Sequence, residues 1–201
     1  LGGRVARMYQ YFPKMCPPSC GLEINMGRLR SNPRITTYTM ATVEALAGGV
    51  GDFKATIKIR PRYVTGDVDL NPAALAEITS ERDNDYNLGM DKTKAVYRPY
   101  ALSYPPQYVV DKEALSAEDA SKLTAACPEG AIDLDMKEEE VQVEAGAVIV
   151  ATGWRPYDAT KLEDLGYGAH QNVITNLMME RMAAKDGPTG GQILRPSDGK
   201  K

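Results

Sequence analysis

The sequence predicts an α+β fold: an antiparallel β-meander with short helices, into which a second α+β subdomain is inserted. Three observations predict it. Residues 53–60 read Phe-Lys-Ala-Thr-Ile-Lys-Ile-Arg, apolar and polar by turns, the period-two pattern of a half-buried antiparallel strand. The turn Gly48-Gly49-Val50-Gly51-Asp52 stands just before it, so residues 43–47 form the other arm of a hairpin. A third arm comes only at 141–150, where Val141, Val143 and Ala145 alternate with Gln142 and Glu144 before the chain turns wholly apolar. Residues 61–136 lie between the second and third arms. That is far more than a loop holds, so the stretch is expected to be a subdomain of its own.

Each element follows from local chemistry. Residues 3–10 suit a short helix with Val5, Met8 and Tyr9 on one side. Pro13, Pro17 and Pro18 exclude regular structure across 11–19. Residues 21–30 place Leu22, Met26 and Leu29 at helical spacing, and Asn32-Pro33 stops that helix. Residues 35–39 read as a strand by their β-branched and Tyr content. Inside the insertion, Asn71 is an N-cap with Pro72 at the first position of a helix over 73–79. Residues 80–94 are polar and read as a solvated loop. Residues 95–97 and 109–110 are short strands around an extended, Pro-containing 100–108. Ser116 caps a helix over 117–126, with Asp119 three residues on as a capping-box-like partner. Cys127-Pro128-Glu129-Gly130 ends it, and 131–134 is a short strand. Lys137–Glu140 is an exposed charged turn. After Gly153 the chain is rich in loops until a helix over 176–185 with Leu177, Met178 and Met182 on one face. Residues 188–201 form a Gly/Pro/Ser-rich linker. The expected division is thus 1–60, 61–136, 137–187 and 188–201.

Bulk properties narrow the function. A net charge of −3 argues against a nucleic-acid partner, because phosphate binding needs a basic face. No apolar run approaches the roughly 20 residues of a membrane span. Three cysteines form no apparent disulfide framework, which suits a reducing cytoplasm. No nucleophile elbow occurs, and the single histidine, His170, has no acid–base partner in sequence. No catalytic residue and no metal-ligand set is therefore assigned.

The most informative stretch is Gly146-Ala-Val-Ile-Val-Ala-Thr-Gly153. A β-branched run that stops on Ala151-Thr152-Gly153 lets backbone approach a ligand at the carboxyl end of a strand. It resembles the second FAD fingerprint of two-dinucleotide-fold flavoproteins. The first fingerprint, a Gly-rich turn opening a helix, does not occur in the sequence. Leu1-Gly2-Gly3-Arg4 resembles the turn that follows the ribose-binding acid in those proteins, and it opens the chain with no Met and no signal peptide. The chain is accordingly expected to be an internal piece of a larger protein. Further segments join the resemblance: Tyr11-Phe-Pro-Lys-Met-Cys-Pro-Pro-Ser-Cys20, Pro61-Arg-Tyr-Val64, Gly89-Met-Asp-Lys-Thr-Lys-Ala-Val-Tyr97, Ala151-Thr-Gly-Trp-Arg-Pro-Tyr157, Asn172-Val-Ile-Thr175 and Gly187-Pro-Thr-Gly-Gly191. In this order and spacing they resemble the flavoprotein family of heterodisulfide reductase A subunits. They resemble most closely the A subunits of quinone-interacting membrane-bound oxidoreductase complexes.

The resemblance implies a thioredoxin-reductase-like FAD domain with a ferredoxin-like insertion. It implies an FAD-dependent electron-transfer oxidoreductase of sulfur metabolism, cytoplasmic or attached to the inner membrane through its partners, which are other redox subunits. It places Gly2, Gly3 and Arg4 by the ribose–pyrophosphate, Val43 on the strand whose backbone meets the adenine, and Ala151, Thr152 and Gly153 over the nucleotide. Cys127-Pro128 resembles the distant Cys-Pro of a ferredoxin cluster, but a cubane needs four thiolates and residues 64–76 contain no Cys, so no iron–sulfur cluster is expected in this chain. Two readings of Cys16 and Cys20 stay open: a redox thiol pair or partial ligand set near the flavin, or ordinary loop thiols. A second function also stays open, a cofactor-free module that docks a redox partner, for which Tyr97, Tyr100, Tyr104 and Tyr108 would suit the surface.

Overall fold

A computed structural model describes residues 1–66 and 70–201. In chain order the elements are α1 (Ser19–Ser31), β1 (Ala41–Gly49), β2 (Asp52–Ile59), α2 (Pro72–Glu77), β3 (Glu81–Asp83), β4 (Lys92–Lys94), β5 (Val96–Tyr97), β6 (Val109–Val110), α3 (Ala117–Ala126), β7 (Glu139–Ala145) and α4 (Asn176–Ala183). The architecture is α+β, with open antiparallel sheets and four helices among the described residues. The chain divides into two compact units. The first holds Leu1, 32–82 and 94–152, and the second holds 2–31, 83–93 and 153–201.

In the first unit the expected meander is present, in the order β1-β2-β7. Val43 faces Ile57 across β1 and β2, and a bulge follows between Val43 and Ala45. Ile57 faces Val141 and Phe53 faces Ala145 across β2 and β7. The outward residues pair by charge, Lys58 with Glu138 at 2.7 Å and Lys54 with Glu144 at 3.7 Å. Such exposed pairs add about 0.2–1 kcal/mol each at most and chiefly fix register.

The core of this unit lies in the chain between β2 and β7. Val64, Leu70, Ile78, Val96, Val110 and Leu123 are buried together, with Tyr63, Leu75 and Cys127 packed against them. Asn71 caps α2 by accepting a hydrogen bond from Ala73 N at 3.0 Å. Ser116 Oγ caps α3 by accepting from Asp119 N at 3.1 Å. The carboxylate of Asp119 does not reach back to the cap as the capping-box pattern implies. It turns inward, only 1% exposed, and accepts from the backbone and hydroxyl of both Thr79 and Ser80 at 2.6–3.2 Å. These donors, the Ser80 hydroxyl first, hold its pKa at about 2 despite burial. Ser80 Oγ accepts in turn from Ser116 N at 2.9 Å, so one carboxylate ties the residues after α2 to the start of α3.

Four sequence expectations fail here. Residues 35–39 join no ladder. Residues 131–134 make only an isolated bridge, Ile132 with Val64, and Glu139 and Glu140 belong to β7 rather than to the charged turn expected at Lys137–Glu140. The β7 ladder stops at Ala145 rather than continuing to 150, and Ile149 and Val150 are 91% and 79% exposed. An apolar run of this kind is stable as a strand only between neighbours that cover it, and among the described residues no strand runs beside 146–151.

The second unit is organised around Arg181 of α4. This guanidinium is 1% exposed. It donates from Nε and Nη2 to Asn87 Oδ1 at 3.0 and 2.9 Å, from Nη2 to Asp186 O at 3.1 Å, and lies 4.4 Å from the centre of the Tyr86 ring. Tyr86 in turn donates its hydroxyl to Ala6 O at 2.7 Å. Residues 80–94 are therefore not the wholly solvated loop that their polarity suggests. Asn84 accepts from Tyr86 N and Asn87 N, turning the chain so that Tyr86 and Asn87 are buried. Gly187 is obligatory beside this cluster, because a Cβ there would sit 1.7 Å from Arg181 O. The helix expected over 3–10 is reduced to a single 3-10 turn, Val5–Arg7, whereas α1 and α4 form as expected.

Candidate functional site

Within the second unit the structure brings two of the sequence-predicted segments together. Gly2, Gly3 and Arg4 form a turn that leads into Val5–Arg7. Arg4 donates from Nη1 to the backbone oxygen of Trp154 and lies 5.2 Å from the centre of its indole ring. Arg4 thus sits against the residue that immediately follows Gly153. Gly153 has φ +72°, a left-handed turn that glycine alone enters freely, and the space where a side chain would stand is open. Gly3, at φ +54°, is open in the same way.

The other assigned nucleotide-site residues belong to the first unit. Val43 lies on β1 at the bulge and is 60% exposed. Ala151 and Thr152 are exposed in the irregular segment after β7. Cys16 and Cys20 are exposed free thiols of the second unit. Tyr11 N bonds Cys16 O at 2.9 Å and Met15 N bonds Tyr11 O at 2.6 Å, closing a tight loop, while Cys20 lies in the first turn of α1. Cys127 stands at the end of α3, half-buried, with its thiol pKa pushed up by burial. Among the described residues no group of three or more His, Cys, Asp or Glu is placed to hold a metal ion. No helix among them is long and apolar enough to cross a membrane.

A feature that sequence reasoning missed lies just past Gly153. Leu88 and residues drawn from 154–178 line a cavity of about 690 Å³ that is open to solvent on one side. Its walls include Trp154, Tyr157, Leu162, Leu165, Ile174 and Met178. Two 3-10 turns, Ala159–Lys161 and Glu163–Leu165, shape it. Asp158 caps the first by accepting from Thr160 N at 3.1 Å and Thr160 Oγ1 at 2.6 Å, which lowers the pKa of its carboxyl. Thr175 Oγ1 caps α4 by accepting from Met178 N at 3.3 Å. Apolar residues spaced through a Gly/Pro-rich stretch were the only sequence signal, and they carry no helical or strand period.

No family model matches the chain. Over nearly its whole length it is similar to curated heterodisulfide reductase A subunits. It is 37% identical, over 99% of the chain, to the A subunit of the ferredoxin/F420H2-dependent CoB-CoM heterodisulfide reductase of Methanosarcina acetivorans. It is 38% identical, over 100% of the chain, to an iron-sulfur A subunit of the CoB–CoM heterodisulfide reductase of Methanopyrus kandleri. It is 35% identical, again over 100%, to the A subunit of the H2:CoB-CoM heterodisulfide, ferredoxin reductase of Methanothermobacter thermautotrophicus. The chain spans only 25–30% of the length of these relatives.

Proposed function

The chain belongs to the family of heterodisulfide reductase A subunits, and from that membership we propose that it is an internal part of an FAD-dependent electron-transfer oxidoreductase. Similarity across the entire chain carries the reading. The Arg4–Trp154 contact supports it, because it joins the turn assigned to the ribose–pyrophosphate side to the residue after the Ala-Thr-Gly turn.

The residues present suit a backbone-held nucleotide. Gly3 and Gly153 are left-handed with open space around them, and Ala151 and Thr152 are small and exposed. In this reading Gly2, Gly3, Arg4, Val43, Ala151, Thr152 and Gly153 contact FAD. The cofactor supplies the electron storage and transfer, and the protein supplies binding, orientation and electrostatics. Arg4 orients: its guanidinium holds the Trp154 backbone and so sets the exit of the Gly153 turn. The residues between β2 and β7 form a ferredoxin-like insertion retained as scaffold, inside a thioredoxin-reductase-like domain divided at 1–60, 61–136, 137–187 and 188–201. The whole chain has three cysteines, one fewer than a four-thiolate cluster needs, so it holds no iron–sulfur cluster by itself. Cys16 and Cys20 are exposed and free to act as a redox pair or to complete a ligand set supplied elsewhere.

The partners in this reading are other redox subunits of a cytoplasmic complex that feeds a membrane quinone pool. The relatives' names include ferredoxin, F420H2 and H2 in describing the reductases to which those subunits belong. A second reading, a cofactor-free docking module, is favoured by one observation: Val43, Leu46, Ile149 and Val150 expose apolar surface.

Flavin content decides between the two. The natural polypeptide that contains these residues is purified with and without Gly153→Val and desalted. Wild type is expected to retain FAD and the variant to lose most of it, since valine at a left-handed φ deforms the turn. A wild-type polypeptide free of flavin supports the docking module.

A further inference from the structure

The cavity at 154–178 is not used by the flavin assignment, and its chemistry is unlike a nucleotide site. At about 690 Å³ it has the size of a small-molecule pocket. Its walls are aliphatic and aromatic, with the rings of Trp154, Tyr157 and Tyr167 among them. Most polar side chains that line it are already engaged: Asp158 with Thr160, Thr175 with Met178 N, and the Tyr167 hydroxyl with Met178 Sδ at 3.8 Å. Arg155 differs. It is exposed, lines the same cavity, and makes no hydrogen bond, ion pair or ring contact among the described residues.

We propose that this cavity binds a planar aromatic anion, with its ring body against Trp154, Tyr157 and the aliphatic wall and its anionic edge on Arg155. Flat rings are favoured by aromatic walls, which give stacking beyond simple burial. An arginine fork prefers a carboxylate or sulfonate, which it can grip with two parallel donors. A phosphate-rich ligand does not fit, because the one other charged residue in the lining is the carboxylate of Asp158.

Trp154 is the only tryptophan of the sequence and lines this cavity, so energy transfer from it to a bound probe reports occupancy. The probes are 8-anilinonaphthalene-1-sulfonate and its uncharged counterpart N-phenyl-1-naphthylamine, titrated into the natural polypeptide that contains these residues with tryptophan excitation, and Trp154→Phe subtracts transfer from any other tryptophan. The proposal expects saturable energy transfer from Trp154 to the sulfonate at one site. Arg155→Gln should weaken the sulfonate about ten-fold, in line with loss of one charged hydrogen bond, and leave the uncharged probe unchanged. Leu165→Lys, at an exposed wall position, should block both probes without lowering the unfolding temperature. Equal affinity of the two probes, no effect of Arg155→Gln, or binding that survives Leu165→Lys would each overturn the proposal. Those outcomes would mark the cavity as a bare apolar surface that another protein segment covers.

Discussion

Arg181 and Asn87, 94 positions apart, meet through two guanidinium donors on one amide oxygen, in a place from which water is excluded. This pair explains why a polar stretch, 83–93, folds into the second unit instead of lying in solvent. It also makes that unit depend on a single side chain of α4.

Arg181→Ala should therefore destabilise the second unit by ~3 kcal/mol, since it removes a buried partner and strands Asn87 Oδ1. Arg181→Lys should rescue little, because an ammonium cannot span Asn87 and Asp186 O with a planar fork. Urea unfolding followed by Trp154 emission reads this directly, as the tryptophan lies in the same unit.

In the first unit Asp119 predicts an acid response. Its pKa is held down to about 2, below the ordinary carboxylate value of 3.8. Its stabilising effect is thus complete above about pH 4 and is lost as pH falls through about 2. Asp119→Asn should lower the unfolding temperature by several degrees at pH 7. The gap from wild type should close between pH 4 and 2 in far-UV circular dichroism melts.

The three thiols should divide by exposure. Cys16 and Cys20 are exposed, whereas Cys127 is half-buried with a raised pKa. Titration with a thiol reagent at pH 8 should show two equivalents reacting fast and the third slowly, with all three fast in denaturant.

Arg4→Ala should change the emission of Trp154, through loss of the guanidinium over the ring and on its carbonyl. The site is exposed, so the stability cost should stay near 1 kcal/mol or below. An unchanged spectrum would show that Arg4 does not hold the Gly153 turn in solution.

The sequence made the meander legible because strands advertise themselves at period two: Phe53–Arg60 and Val141–Ala145 alternate, and they pair in register. The caps at Asn71 and Ser116 were legible because capping is a local rule. What could not be read depends on distant partners. Tyr86 and Asn87 look like loop residues until Arg181 is placed beside them. Ile35 and Ile149 look like strand residues, but composition does not reveal whether a neighbouring strand exists. Asp119 looks like half of a capping box, and only the fold brings Thr79 and Ser80 to it. Gly2–Arg4 and Gly153 stand out by motif, whereas their meeting through Trp154, and the cavity beyond, emerge only from the folded chain.

The most direct test of electron transfer is an anaerobic redox titration of the natural polypeptide that contains these residues, followed by visible absorption. Flavin bands should survive desalting, bleach reversibly on reduction and return when an electron acceptor is added. A colourless polypeptide that takes up no FAD, or bands that bleach and never recover, would rule out a flavin-based relay.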